Sequence, residues 1–119
     1  MSETLEVTSR LEGNVGIVQT DGYINHLGGE KVGEVCNDLI DGGCKFLVLN
    51  LEKSRIINSI GISILIEVIE KVKELEGAVG FCCLTPTIAK TFRIMGLLQF
   101  ASIFQTEQEA VQSQAKASG

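Results

Sequence analysis

Tryptophan is absent from this 119-residue chain and aromatic residues make up only 5% of it, against 45% hydrophobic residues in all. The core must therefore be aliphatic. Basic charge is also scarce: the formal net charge is −5, and the ten Lys and Arg are scattered without forming a stripe. Clustered cations are what a nucleic-acid backbone demands, so direct nucleic-acid binding is not expected. No apolar run approaches the roughly 20 residues needed to cross a bilayer, and Met1-Ser-Glu-Thr lacks the basic and apolar character of a signal sequence. The expected setting is the cytoplasm, without a membrane span.

Catalytic equipment is equally thin. The single histidine, His26, has no Gly-x-Ser-x-Gly or comparable nucleophile motif beside it, and reads as a solvated loop residue. Gly28-Gly29 lacks the spacing of a phosphate-binding loop and reads as the opening of a helix. The four cysteines, Cys36, Cys44, Cys82 and Cys83, contain no C-x-x-C pair. Cys82 and Cys83 alternate along an expected strand, so they should point to opposite faces and not share a metal. All four are expected as reduced, apolar side chains. Glu67, Glu70, Glu74 and Glu76 form a solvated helix face. A receiver-type acceptor aspartate is excluded too, because Asn50 and Asn58 stand where its acidic neighbours would be. No metal or cofactor is expected, and an enzyme using His26 or a cysteine is the remotest reading.

What is present is a clear alternation of periods. Leu5 to Leu11 alternates as a half-buried strand, Glu12-Gly13-Asn14 turns the chain, and Val15 to Thr20 returns as a second strand. Val32, Val35, Cys36, Leu39 and Ile40 mark a helix that Gly42-Gly43 ends. The short apolar run from Lys45 to Leu51 reads as a buried strand, followed by a loop over Glu52 to Asn58. A long helix from about Gly61 to Glu76 carries Ile62, Leu65, Ile66, Val68, Ile69, Val72 and Leu75 on one stripe. Gly80 to Leu84 is a strand, after which Thr85 and Pro86 open a helix with Ile88, Phe92 and Met95 facing inward, stopped by Gly96. Ser102-Ile103-Phe104 makes a last short strand and Glu107 to Gln114 a terminal helix. The expected fold is α/β, a mixed sheet of four to five strands with about four helices. One domain over residues 1–112 and a flexible tail over 113–119 are expected. Leu47, Leu49, Leu65, Ile69, Val72 and Phe92 should be buried. The Tyr23–Asn25 turn, the Glu52–Ser59 loop and Thr85 should share one end of the sheet.

Ser59 stands out at the mouth of the long helix. As an N-cap its hydroxyl would satisfy an orphan amide. The same position suits a phosphate, since helix N-termini favour anions. The two roles are compatible. Ile60 beside it either projects toward the polar side or folds back onto the core.

The order Val48-Leu49-Asn50-Leu51, then Ile57-Asn58-Ser59-Ile60-Gly61-Ile62, resembles the phosphorylation region of anti-anti-sigma factors of the STAS-domain family. Gly22-Tyr23-Ile24-Asn25 is similar to the family's Gly-x-Leu-Asp element. Thr85-Pro86, Met95-Gly96-Leu97, Phe100 and the stretch Thr106 to Ala110 are similar to its later segments, so the resemblance covers nearly the whole chain. Asn58 stands where the family has an acidic residue, and Ile60 where it has a small one. The resemblance implies a STAS-like fold and phosphorylation at Ser59. It also implies a partner face of Asn25, Asn58, Ser59, Ile60, Ser63 and Thr85. The implied partners are a serine-kinase-type anti-sigma factor, bound only while Ser59 is unphosphorylated, and a serine phosphatase. The alternative is a constitutive STAS scaffold, or a subunit of a signalling or lipid-transport complex, that is never phosphorylated.

Overall fold

The computed structural model describes residues 5–118, and they form one mixed sheet covered on both faces. Strands β1 (Glu6–Glu12) and β2 (Val15–Asp21) form the antiparallel hairpin, turning at Gly13 with φ 60°. Strands β3 (Phe46–Lys53), β4 (Ala78–Cys82) and β5 (Ser102–Phe104) then add in sequence order, each parallel to the last. Helix α1 (His26–Asp41) links β2 to β3, α2 (Ser59–Glu74) links β3 to β4, and α3 (Pro86–Ile94) follows β4. A 3-10 turn at Leu97–Gln99 leads into β5, and α4 (Glu107–Ser118) closes the chain.

Alternation along β2 and β3 sorts the core into two layers. Val18, Leu47, Leu49 and Leu51 face α1 and α2, while Val15, Ile17, Phe46 and Val48 face α4 around the buried Ala110. All six expected core residues, Leu47, Leu49, Leu65, Ile69, Val72 and Phe92, are buried. Phe92 meets Phe81 edge-on at 4.9 Å between ring centroids, which fastens α3 to β4.

Several elements depart from the sequence reading, each for a local reason. Strand β3 runs on through Glu52 and Lys53, because β2 continues to pair with it as far as Asp21 and Lys53. Helix α1 begins at His26, so that histidine is an exposed first-turn residue, 3.2 Å from Glu30, and not a loop residue. Leu75 and Met95 are exposed at 44% and 50%, because each lies at the helix end where the inward stripe has run out. Helix α4 continues across residues 113–118, where the composition suggests a tail. Gln114 is buried there and donates to the Leu47 carbonyl at 3.3 Å. Cys82 and Cys83 do not diverge: both pack toward the α4 layer, since Cys83 adopts φ 63° and leaves the strand's alternation. All four cysteines are free, and burial pushes the Cys36 thiol up to about 12.

Candidate functional site

Because β2, β3 and β4 run parallel, the segments that follow them emerge at one end of the sheet. The β2–α1 turn and the β3–α2 loop are lashed together there. Gly22 N donates to the Lys53 carbonyl at 3.0 Å, Ile24 N to Ile56 O at 3.0 Å, and Asn58 N to Ile24 O at 3.1 Å. Ile24 and Ile57 thereby form an isolated parallel bridge beyond the sheet proper. Two asparagines cap the two helices that start here. Asn25 Oδ1 accepts from Gly28 N at 2.8 Å, and Asn58 Oδ1 accepts from Gly61 N at 2.8 Å.

Ser59 is therefore not the N-cap of α2. It is the first helical residue, and Asn58 holds the orphan amide that a capping serine would have taken. The Ser59 side chain is exposed, and its carbonyl accepts the Ser63 hydroxyl at 3.0 Å. Ile60 is 46% exposed, which settles its two readings in favour of the outward one. Asn25, Asn58, Ser59, Ile60 and Ser63 thus lie on the two lashed segments and the first turns they cap. Thr85 caps α3 through a bond from Ile88 N at 3.3 Å. It shares the same end of the sheet, but no hydrogen bond joins it to the others among the described residues. The first turn of α2 holds no acidic side chain, so nothing within it opposes the helix dipole's attraction for a phosphate.

Close approach explains the glycine of the Ser-Ile-Gly run. A Cβ on Gly61 would sit 2.5 Å from the Ile24 carbonyl oxygen, and Gly61 Cα lies 3.2 Å from the position a Cβ would take on Gly29. The N-terminal turns of α1 and α2 cross at Gly29 and Gly61, while Gly28 opens α1: its amide is the one Asn25 caps, and a Cβ there would sit 2.7 Å from the Tyr23 carbonyl oxygen. Gly61→Ala is expected to cost about 1–3 kcal/mol, as overpacking does. It should also shift Ser59 away from the β2–α1 turn, with urea unfolding and amide chemical shifts as the measurements.

One pair escaped the sequence reading. Thr20 and Ser54 are both fully buried with hydroxyl oxygens 2.6 Å apart. They meet where the β2–β3 register shifts between Gln19 and Asp21. The pair ties the root of the Ser59 loop to β2 and takes Ser54 out of contention as a phosphate acceptor. Only an unusually polar position within β2 could have signalled it. Thr20→Val should cost about 1–3 kcal/mol, because the Ser54 hydroxyl is left buried and unsatisfied. The Thr20→Val/Ser54→Ala double variant should recover part of that loss in the same denaturation assay.

A second polar cluster anchors α4 on the other layer. The Glu107 carboxylate accepts from Arg10 and, at 3.0 Å, from Asn50 Nδ2, while Asn50 Oδ1 accepts from Glu52 N at 3.0 Å. Burial pushes the Glu107 carboxyl up, but the hydrogen bonds from Arg10 and Asn50 and the Arg10 charge outweigh it and hold the group below its ordinary value of 4.5. A carboxyl lowered by folding stabilises the fold above its unfolded pKa, and that contribution fades as pH falls through the folded value. Wild type should thus lose stability to Glu107 protonation only below about pH 4.5. Glu107→Gln should flatten that acid limb in a pH series of melting curves. Among the described residues no group of His, Cys, Asp and Glu is placed to hold a metal ion, and no helix is long and apolar enough to cross a membrane.

Comparison with known proteins agrees with this architecture. The STAS domain family model matches residues 6–110. Among solved structures, an anti-sigma factor antagonist from Mycobacterium paratuberculosis superimposes with a TM-score of 0.85 at 17% identity, covering 97% of each chain. A STAS-domain protein from Planctomyces limnophilus gives 0.81 at 17% identity, over 92% of this chain and 97% of that one. The Bacillus cell fate determinant SpoIIAA, in its phosphorylated form, gives 0.73 at 18% identity, over 91% and 98%. Likeness at these identities speaks for the fold alone.

Proposed function

This chain belongs to the STAS-domain family, and from that premise we propose that it is an anti-sigma factor antagonist working by partner switching. The unphosphorylated face around Asn25, Asn58, Ser59, Ile60 and Ser63, with Thr85 at its margin, docks on a serine-kinase-type anti-sigma factor. That kinase phosphorylates Ser59 and is then released. A serine phosphatase resets the cycle, in the cytoplasm. The chain itself supplies the acceptor and the docking face and performs no catalysis.

The observation that carries this reading is the division of labour between Asn58 and Ser59. Asn58 caps α2, so the adjacent hydroxyl stands exposed on a rigid first turn at the positive end of the helix. Intact-mass analysis after incubation with the kinase-type ATPase and ATP should show one added phosphate, absent from Ser59→Ala. One observation favours the alternative: Ile60, 46% exposed, places aliphatic bulk directly beside the acceptor. Equal partner binding by wild type, Ser59→Ala and Ser59→Asp, with no phosphate transfer, would give the constitutive scaffold the better claim.

A further inference from the structure

The exposed side of α2 does not end at the serine. At about 100° per residue, Ser59, Ser63, Ile66, Glu70 and Lys73 fall along one stripe. Its far end forms one wall of a groove of about 510 Å³, with Ile66, Ile69 and Leu97 along its apolar lining and Met95 and Phe100 across from α2. Met95 is 50% and Phe100 56% exposed, and Ile94 and Leu98 beside them are exposed too. Two half-exposed large apolar side chains, Met95 and Phe100, lining one concavity with further exposed apolar residues adjacent in the chain mark an interaction surface on a small domain. The α2 wall is edged by Glu70 and Glu74, with Lys73 between them.

We propose that this groove is a second docking element for the partner of the Ser59 face, occupied by an amphipathic helix of that partner with Lys or Arg along one flank. The inference rests on the partner-switching reading for the identity of the partner. An apolar trough walled by a helix on one side and a short turn on the other suits the helix-in-groove mode of recognition. Glu70 and Glu74 would face the basic flank. A second copy of this chain fits less well, because it would bring two groove edges with a carboxylate surplus, Glu70 and Glu74 against Lys73, together on chains of net charge −5. Continuity along α2 gives the arrangement its logic: the groove anchors the partner while Ser59, at the other end of the stripe, presents the acceptor.

Two synthetic helices serve as probes, one with leucines on one face and lysines on its flank, the other with those lysines replaced by glutamates. The lysine helix should bind the full chain at least about tenfold more tightly, with amide shifts centred on Ile66–Glu74 and Met95–Phe100. Phe100→Ser should weaken it by a similar factor, and Glu70→Lys should reverse the preference between the two probes. Both substituted side chains are exposed, so melting temperatures should stay close to wild type. Equal binding of the two helices, or shifts elsewhere, would overturn the proposal. So would a concentration-dependent dimer that Phe100→Ser dissolves, which would assign the groove to a second copy. With the kinase partner, Phe100→Ser should raise the KM for Ser59 phosphorylation about tenfold and leave kcat unchanged. An unchanged KM would detach the groove from that partner. Absence of any phosphorylation of wild type would sink the switch alone, since the helix probes decide the groove independently.

Discussion

Phosphorylation of Ser59 is expected to weaken partner binding by about 100-fold or more, while Ser59→Ala binds as tightly as wild type and accepts no phosphate. The exposed hydroxyl sits in the first turn of α2 between Asn58 and the exposed Ile60, so a partner docked on this face would cover it. A phosphate places about −1.5 to −2 charges at that point. Burying such a charge without a matching cation costs several kcal/mol, and about 2.7 kcal/mol already amounts to 100-fold. The chain's net charge of −5 adds no compensating field. Ser59→Asp should weaken binding less, since one carboxylate carries less charge and fewer acceptor oxygens than a phosphate. Calorimetry with the kinase-type partner measures all four forms. Comparable affinity for the phosphorylated and unphosphorylated proteins would end the switch as a mechanism, whatever the rate of phosphate transfer.

Leu65→Ala should destabilise the domain by about 2–5 kcal/mol, a large share of the stability of a chain this size. Leu65 is 1% exposed at the middle of α2, within the larger of the two core clusters. The cluster it belongs to is largely aliphatic, and its valines and isoleucines are stiff at χ1, which limits how far the core can close over the gap. Urea denaturation followed by circular dichroism reads the loss directly. A change below about 0.5 kcal/mol would mean the site collapses around the smaller side chain, contrary to the packing described. The same variant should still show Ser59 phosphorylation wherever it remains folded, because the lashed loops do not include Leu65.

The order of strands and helices and the outward position of Ser59 were legible in the sequence because they depend on short-range periodicity. The alternation in β1, the short apolar run of β3, the wide stripe of α2 and the Thr85-Pro86 start of α3 each reflect contacts within one element or with the nearest layer. The family resemblance could be recognised from motif order without any contact being known. The sequence also determined that the core is aliphatic. Tertiary structure decided what depends on residues far apart in the chain. Asn58 rather than Ser59 caps α2, because the bond from its backbone amide to Ile24 fixes where the helix starts. Gly61 is needed for the Ile24 carbonyl it crosses, 37 positions away in numbering. Thr20 and Ser54 are buried partners only because two parallel strands bring them together, and neither residue's neighbours announce it. Helix α4 persists past Gln114 because that side chain reaches the Leu47 carbonyl, a long-range bond that helix propensity does not contain. A local pattern specifies which face of an element is apolar; what that face and its ends meet is settled by the chain's return from elsewhere.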